Sequence, residues 1–170
     1  EVVDLAHAKD VHVEAQVGRL PHGTDADHGD AEVTDARLAR EFVQDTGVDA
    51  LAVSIGNVHI LTAGNSRLDL TALERIREAV AVPLVLHGGT GLPRESLHEA
   101  IRLGVAKLNF GTVFKQAFLA AVREKLAAYQ EPMNPHPFLG MGGPEDILVA
   151  GREAMAAQVK EILLQTGAAG

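Results

Sequence analysis

The sequence predicts an α/β fold in which parallel strands alternate with crossover helices. Two observations lead to this prediction: four short apolar runs rich in β-branched residues, and longer segments of helical period that separate them. The predicted strands span residues 11–17, 50–55, 83–86 and 106–110. The alternation suits a small open sheet or part of a barrel, and composition does not choose between the two.

Apolar residues that recur at helical spacing predict the helices. A first helix covers residues 1–8, and Thr71 and Glu74 then have the spacing of a capping box at the start of a later helix. The apolar stripes, in chain order, are Leu38, Ala39, Phe42 and Val43, ending near Gly47; Leu73, Ile76 and Val80; Leu97, Ala100 and Ile101, ending at Gly104; Phe114, Phe118, Ala121, Val122 and Leu126; and Met155, Val159, Ile162 and Leu163.

Two segments are predicted as loops. Residues 18–33 lack an apolar period and are rich in Gly, Asp and His, and a loop of this length is usually functional or mobile. Residues 132–144 are rich in Pro and Gly and join the last two helices. The sequence begins at Glu1, without an initiator Met and within a predicted helix, so we expect a fragment of a longer chain.

Charge and composition limit the function classes. The 170 residues carry a formal net charge of -8 without a visible Lys and Arg cluster, which argues against a nucleic-acid groove. Without cysteine, a metal would rest on His, Asp, Glu, carbonyl groups or water, and eight histidines make this feasible. We find no apolar run of membrane-spanning length and no leader, so we expect no membrane insertion and a cytoplasmic location.

Two histidines follow the ends of predicted strands. Residues 50–55 lead through Gly56, Asn57 and Val58 into His59, and residues 83–86 lead directly into His87. Functional groups gather at the carboxyl ends of parallel strands, and neutral imidazole is a common zinc ligand. The alternative is that each histidine only forms hydrogen bonds within its own loop.

Gly-rich turns follow the third and fourth predicted strands. Gly88, Gly89, Thr90 and Gly91 precede a helix led by Pro93, and the next turn reads Asn109, Phe110, Gly111 and Thr112. Glycine lets the backbone approach a ligand, and a helix N-terminus attracts an anion. Two successive turns of this type predict a phosphate site of the kind found in barrels.

The other histidines are assigned by position. His7, His12, His98 and His136 are expected to have surface or packing roles. His22 and His28 lie in the long loop, where a functional role remains open.

Five sequence strings resemble the class II, metal-dependent ketose-bisphosphate aldolases of the fructose- and tagatose-bisphosphate type. They occur in family order over essentially the whole chain. In sequence letters they are VEAQVG at residues 13–18, GNVH at 56–59, LHGGTG at 86–91, KLNFGT at 107–112 and GREAM at 151–155.

The resemblance implies that residues 1–170 are the C-terminal half of one (β/α)8 TIM-barrel domain, supplying about its last four βα units. It implies that His59 and His87 are two of three zinc-ligating histidines. The third ligand and an adjacent acid/base Asp would lie on an earlier strand that this sequence lacks. The implied cofactor is Zn2+, with room for a second or monovalent cation. The phosphate and ketose contacts that the resemblance implies are Gly88, Gly89, Thr90, Asn109, Gly111 and Thr112.

The sequence departs from the family pattern in three places. Gln16 stands where the family has a Glu that serves a second cation or the local electrostatics. The loop that carries the family's proton-donating Glu reads PHGTD at residues 21–25, so that His22 and Asp25 are the remaining acid/base candidates. Ile60 and Ala63 replace a Gly and a phosphate-contacting Lys, which would reshape the phosphate pocket.

We therefore expect an aldolase that cleaves a phosphorylated ketose, such as fructose or tagatose bisphosphate, to dihydroxyacetone phosphate and an aldehyde. The alternatives are a non-catalytic or truncated relative that binds a phosphorylated ligand or a partner subunit, and a metal-dependent hydrolase on a similar barrel. Half a barrel leaves strand edges open, so we expect a homo-oligomer or a poorly soluble species. With two of three histidine ligands, zinc binding by this chain should be weak, and tight binding would mean that another residue, such as His22 or Glu14, completes the site.

Overall fold

The structure is a computed structural model that describes residues 1–21, 23 and 32–168. In chain order, its elements are α1 (Val2–His7), β1 (Glu14–Val17), α2 (Ala36–Thr46), β2 (Ala50–Val53), α3 (Leu70–Ala79), β3 (Leu84–Leu86), α4 (Arg94–Arg102), β4 (Val105–Leu108), α5 (Thr112–Leu126), a 3-10 turn (His136–Phe138) and α6 (Ile147–Thr166). The predicted alternation of strands and helices is confirmed.

The four strands form one parallel sheet in chain order, β1-β2-β3-β4. Each neighbouring pair is connected through a helix, as parallel pairing requires. All four strands therefore point the same way, and their carboxyl ends lie together at one end of the sheet. The two predicted histidines follow β2 and β3 at this end.

The main core lies between the sheet and the helices. Leu51 and Val53 of β2 and the following Ile55 pack with Leu73 and Ile76 of α3, and all five are at most 1% exposed. Full burial of such a side chain stabilises the fold by roughly 1.5–3 kcal/mol. The alternation of Leu51, Val53 and Ile55 places the intervening Ala52 on the opposite face of the sheet.

The strands are shorter than predicted. β1 begins at Glu14 rather than residue 11, because the preceding residues close the turn after α1, where the Val11 amide donates to the Ala6 carbonyl. β2 ends at Val53 because the backbone of Ser54 bonds instead to Thr34. β3 starts one residue late at Leu84, and β4 spans Val105–Leu108 rather than residues 106–110.

The predicted capping box of α3 was wrong. The helix begins at Leu70, and the cap is Asp69, whose Oδ1 accepts from the Ala72 backbone N–H at 2.9 Å. Thr71 therefore lies inside the first turn.

Five residues assigned to apolar stripes are more exposed than expected: Leu38, Ile101, Leu126, Val159 and Leu163. Leu38 is 46% and Ile101 is 37% exposed, whereas Ala39 and Leu97 of the same stripes are buried.

The chain forms two compact units, Glu1–Phe110 and Gly111–Gly170. In the second unit α5 packs against α6, and Gly151 allows this contact because a Cβ there would meet the Phe118 ring at 2.5 Å. The loop predicted at residues 132–144 contains the 3-10 turn, where buried Phe138 packs edge-on against Tyr129. No helix within the described ranges is long and apolar enough to span a membrane.

Candidate functional site

His59 and His87 line one pocket of about 330 Å³ at the carboxyl edge of the sheet. They reach it because β2 and β3 are parallel neighbours and each is followed by one of the histidines. Gln16, Gly18, Arg19 and Leu20, from the end of β1 and the loop after it, complete the lining. The arrangement brings together two imidazoles and one guanidinium, which suit a metal ion and an anion respectively.

Buried Asn57 joins the two turns that carry the histidines. Its Nδ2 donates to the His87 carbonyl at 2.9 Å and to the Val53 carbonyl at 3.3 Å, and its Oδ1 accepts from the Ile55 N–H at 2.8 Å. Since a buried amide left without partners is costly, these bonds hold the His87 backbone at a set distance from β2.

Gly88 lets the same two turns pack directly against each other. Its φ is +68°, and a Cβ at this position would lie 2.2 Å from the Val58 carbonyl oxygen. Only glycine suits both the backbone conformation and the space. Gly88 therefore has a structural requirement in addition to its predicted contact with phosphate.

The backbone of His59 is held by the loop after β1. Its N–H donates to the Pro21 carbonyl, and its carbonyl accepts from the Gly23 N–H, both at 2.8 Å. The acid/base candidates His22 and Asp25, and also His28, lie outside the described residues. Their assignments stay predictions.

Glu14 forms an ionic cluster with His87 and Lys107. Its Oε1 lies 2.9 Å from Nε2 of His87, and its Oε2 accepts from Nζ of Lys107 at 2.6 Å. Burial raises the pKa of the Glu14 carboxyl, but the hydrogen bonds from Lys107 and His87 more than offset this, so that the net pKa is lowered. Glu14 is therefore an ionised carboxylate at neutral pH.

From the sequence, no role was predicted for Lys107 or Arg19, and Glu14 was considered only as a motif residue that could complete a metal site. The available signal for Arg19 was its position directly after the VEAQVG string. The cluster of Glu14 and Lys107 joins β1 to β4 across the sheet, so sequence spacing alone could not reveal it.

Gly89 has a packing role in the predicted anion turn. Its N–H donates to the Asn109 carbonyl at 3.0 Å, and a Cβ there would meet the Phe110 ring at 2.7 Å. The amide of Gly89 is thus already used within the protein. Phosphate contacts by Gly88, Gly89, Thr90 and Asn109 remain predictions.

Gly111 and Thr112 belong to the second unit. Gly111 is the N-cap residue of α5, Thr112 is its first helical residue, and glycine has no side chain with which to cap the helix. By contrast, Asp35, Asp69 and Asp146 cap α2, α3 and α6. The assignment of Gly111 and Thr112 to anion binding stays a prediction.

Two of the departures from the family pattern have structural correlates. The Gln16 Nε2 donates to the Gly18 carbonyl at 2.9 Å, a bond that an ionised Glu could not form. Ile60 has φ of 57°, in the left-handed region that favours glycine. The glycine that the family has at this position would adopt this backbone conformation without strain, whereas Ile60 does not.

The other described histidines are at the surface. His7 contacts Asp49 Oδ2 at 2.9 Å on the surface, and His12, His98 and His136 are exposed.

The described residues fit part of a zinc site. The two imidazoles that line the pocket offer nitrogen ligands of the kind that zinc binds. Among residues 1–21, 23 and 32–168, however, no group of three or more His, Cys, Asp or Glu side chains is placed to hold a metal ion. The remaining ligands of such a site would have to come from other residues.

Comparison with protein families gives one match over residues 1–170, described as fructose-bisphosphate aldolase class-II. Among solved structures, the YdjI aldolase from Escherichia coli K12 is 33% identical, with a TM-score of 0.73 over 100% of this chain and 53% of that one. A putative fructose-1,6-biphosphate aldolase from Coccidioides immitis is 29% identical, with a TM-score of 0.75 over 99% of this chain and 56% of the other.

A fructose-bisphosphate aldolase from Campylobacter jejuni is 22% identical, with a TM-score of 0.70 over 98% of this chain and 53% of its own, and supports the fold alone. The chain thus spans about half the length of these solved relatives.

Proposed function

Because the chain belongs to the class II fructose-bisphosphate aldolase family, we propose that the protein is a metal-dependent aldolase that cleaves a ketose bisphosphate to dihydroxyacetone phosphate and an aldehyde. The observation that supports this most directly is the pocket shared by His59 and His87. The proposal includes a (β/α)8 barrel of which this sheet is a part, and a homo-oligomeric protein.

In this proposal His59 and His87 hold Zn2+ together with at least one ligand beyond the described residues. The metal, when bound, supplies a Lewis acid for the ketose carbonyl. The protein's own contribution is orientation: Asn57 and Gly88 hold the two histidine turns against each other, and Pro21 and Gly23 bracket the His59 backbone.

Anion binding is proposed for the same end of the sheet, where the carboxyl ends of the strands lie. Arg19 lines the pocket and carries a permanent positive charge suited to a phosphate group. Gly88, Thr90 and Asn109 belong to the two turns that follow β3 and β4. The substrate would then be a phosphorylated ketose, held at a phosphate and oriented through its carbonyl.

The test is a coupled assay that measures the release of dihydroxyacetone phosphate from fructose and tagatose bisphosphates, with and without a chelator. We expect chelator-sensitive cleavage by the zinc-loaded protein and at least a hundredfold loss in His59→Ala and His87→Ala, because each removes a metal ligand. His136→Ala, an exposed histidine of the second unit, is the control and should retain activity.

The alternative is a non-catalytic relative that binds a phosphorylated ligand. The replacement of the family Glu by Gln16, now bonded to the Gly18 carbonyl, favours this reading. A folded, zinc-loaded protein that binds dihydroxyacetone phosphate but cleaves neither sugar would support the alternative and contradict the aldolase.

A further inference from the structure

We infer that Glu14 is a positioning residue for His87 and that Lys107 holds Glu14 in place. The inference rests on the proposed function in treating His87 as a metal ligand. It goes beyond that function because it assigns roles to two residues that contact neither metal nor substrate in the proposal.

The sheet brings these three residues together on one face. Glu14 lies on β1 in register with Ala50, and its side chain crosses β2 to reach groups on β3 and β4. The β2 residues on this face are Ala50 and Ala52, whose small side chains leave room for the crossing. A larger residue at either position would obstruct the carboxylate.

A register shift in the sheet places Lys107 on the same face. Leu84 pairs with Val105, but the next residue, Val85, pairs with Lys107, so that Ala106 is passed over. Strict alternation would give Val105 and Lys107 the same orientation, and Val105 is buried in the core. Irregularities of this kind re-aim side chains next to functional sites.

The contacts define what Glu14 does. Its two oxygens each have one partner, His87 Nε2 at 2.9 Å and Lys107 Nζ at 2.6 Å, and its side chain is 25% exposed. A carboxylate on one imidazole nitrogen sets the orientation of the ring and raises the basicity of the other nitrogen. Nε2 of His87 is therefore committed to Glu14, and Nδ1 is the nitrogen offered to a metal.

Glu14 acts through His87 rather than as a ligand itself. Both of its carboxylate oxygens already have partners in the protein, one in His87 and one in Lys107. Lys107 also balances the charge of Glu14, so that the carboxylate would not have to be neutralised by the metal.

The first experiment measures zinc affinity by competition with a chelating dye. We expect Glu14→Ala to weaken binding about 10–100-fold, the usual effect of removing such a partner. Lys107→Met should weaken binding less, because His87 keeps its acceptor. Glu41→Ala is the matched control, since Glu41 is also an ion-paired carboxylate but is 48% exposed on α2 and does not line the pocket.

The second readout requires neither zinc nor activity. In zinc-free protein with isotope-labelled histidine, the Nε2 proton of His87 should give a resolved NMR signal that Glu14→Ala abolishes and Glu41→Ala retains. In zinc-loaded protein, Nδ1 should be the metal-bound nitrogen of His87. If Glu14→Ala does not fold, Glu14→Gln is used instead, because it keeps the shape of the side chain and one acceptor oxygen. In that variant the Nε2 proton signal of His87 should be broadened.

Three outcomes would overturn the inference: an unchanged Nε2 signal in the folded Glu14 variant, zinc affinity within twofold of wild type, or zinc bound to Nε2 of His87 with Glu14 as a direct ligand. Failure of the proposed aldolase is distinguishable from all three, because the zinc-free signal decides the contact between Glu14 and His87 without any cleavage.

Discussion

Gly88 is the residue at which the histidine turns meet, and its substitution should be costly. A Cβ there would lie 2.2 Å from the Val58 carbonyl, in addition to the strain of φ +68°. We expect Gly88→Ala to lower the free energy of unfolding by about 2 kcal/mol or more, measured by urea denaturation.

Gly64→Ala is the matched control for this collision. Gly64 has φ +80°, but a Cβ there would meet nothing within 4 Å. The Gly64→Ala substitution should lower the free energy of unfolding by about 1 kcal/mol, from backbone strain alone. Equal losses at the two positions would show that the contact with Val58 is unimportant.

Ile60 carries a conformational strain that glycine would relieve. A φ of 57° destabilises the folded state by about 1–2 kcal/mol when the residue is β-branched. Glycine avoids this strain but loses roughly 0.5–1 kcal/mol more in chain entropy on folding. We expect Ile60→Gly to raise the melting temperature slightly.

The control is Ala63→Gly, also in the exposed loop but without a positive φ, which should lower the melting temperature. A decrease in both variants would mean that the left-handed conformation of Ile60 stores no relievable strain.

At the scale of the helices, Asp69 rather than Thr71 should determine the start of α3. Asp69 accepts the Ala72 N–H, whereas Thr71 lies within the first turn. Asp69→Ala should cost about 1 kcal/mol of stability and Thr71→Ala less than about 0.5 kcal/mol, as measured by denaturation. The reverse order would restore the capping box expected from the sequence.

The start of α6 should depend on pH through Asp146. The backbone N–H of Gly142 donates to its carboxylate, followed by that of Leu148, and these bonds lower the pKa of Asp146 despite burial, which acts to raise it. A carboxyl with a depressed folded-state pKa contributes stability above its unfolded pKa of about 3.9, and this contribution is lost as pH falls through the lower folded value.

Asp146→Asn should therefore lower the melting temperature by a constant amount above about pH 5, and the difference should shrink below about pH 4. Asp45→Asn makes the same charge change at an exposed residue of α2 and controls for net charge. A difference that does not vary with pH would contradict the role of the ionised cap.

For the whole molecule, the open sheet predicts association. β1 and β4 are the edges of the sheet in the described part of the chain, and unpaired strand edges pair with other chains. We expect the 170-residue chain to elute from size exclusion as an oligomer or to be poorly soluble. A well-folded monomer at micromolar concentration would contradict this expectation.

The sequence alone determined the alternation of strands and helices, the strand-end positions of His59 and His87, and the family to which the motifs belong. These properties depend on local periodicity and on short strings of residues, which are readable without coordinates. Helix caps and strand ends were not all predicted correctly, because the partner that a backbone group takes, such as Asp69 for Ala72 and Thr34 for Ser54, is chosen by geometry.

Only the tertiary structure decided which side chains meet across the sheet. Glu14 and Lys107 are 93 positions apart, and their contact depends on the register of three strand pairs and on one shift that passes over Ala106. A one-residue change of register turns a side chain to the other face of a sheet. Residue spacing cannot predict such a contact, because it is set by how the strands pair rather than by either strand alone.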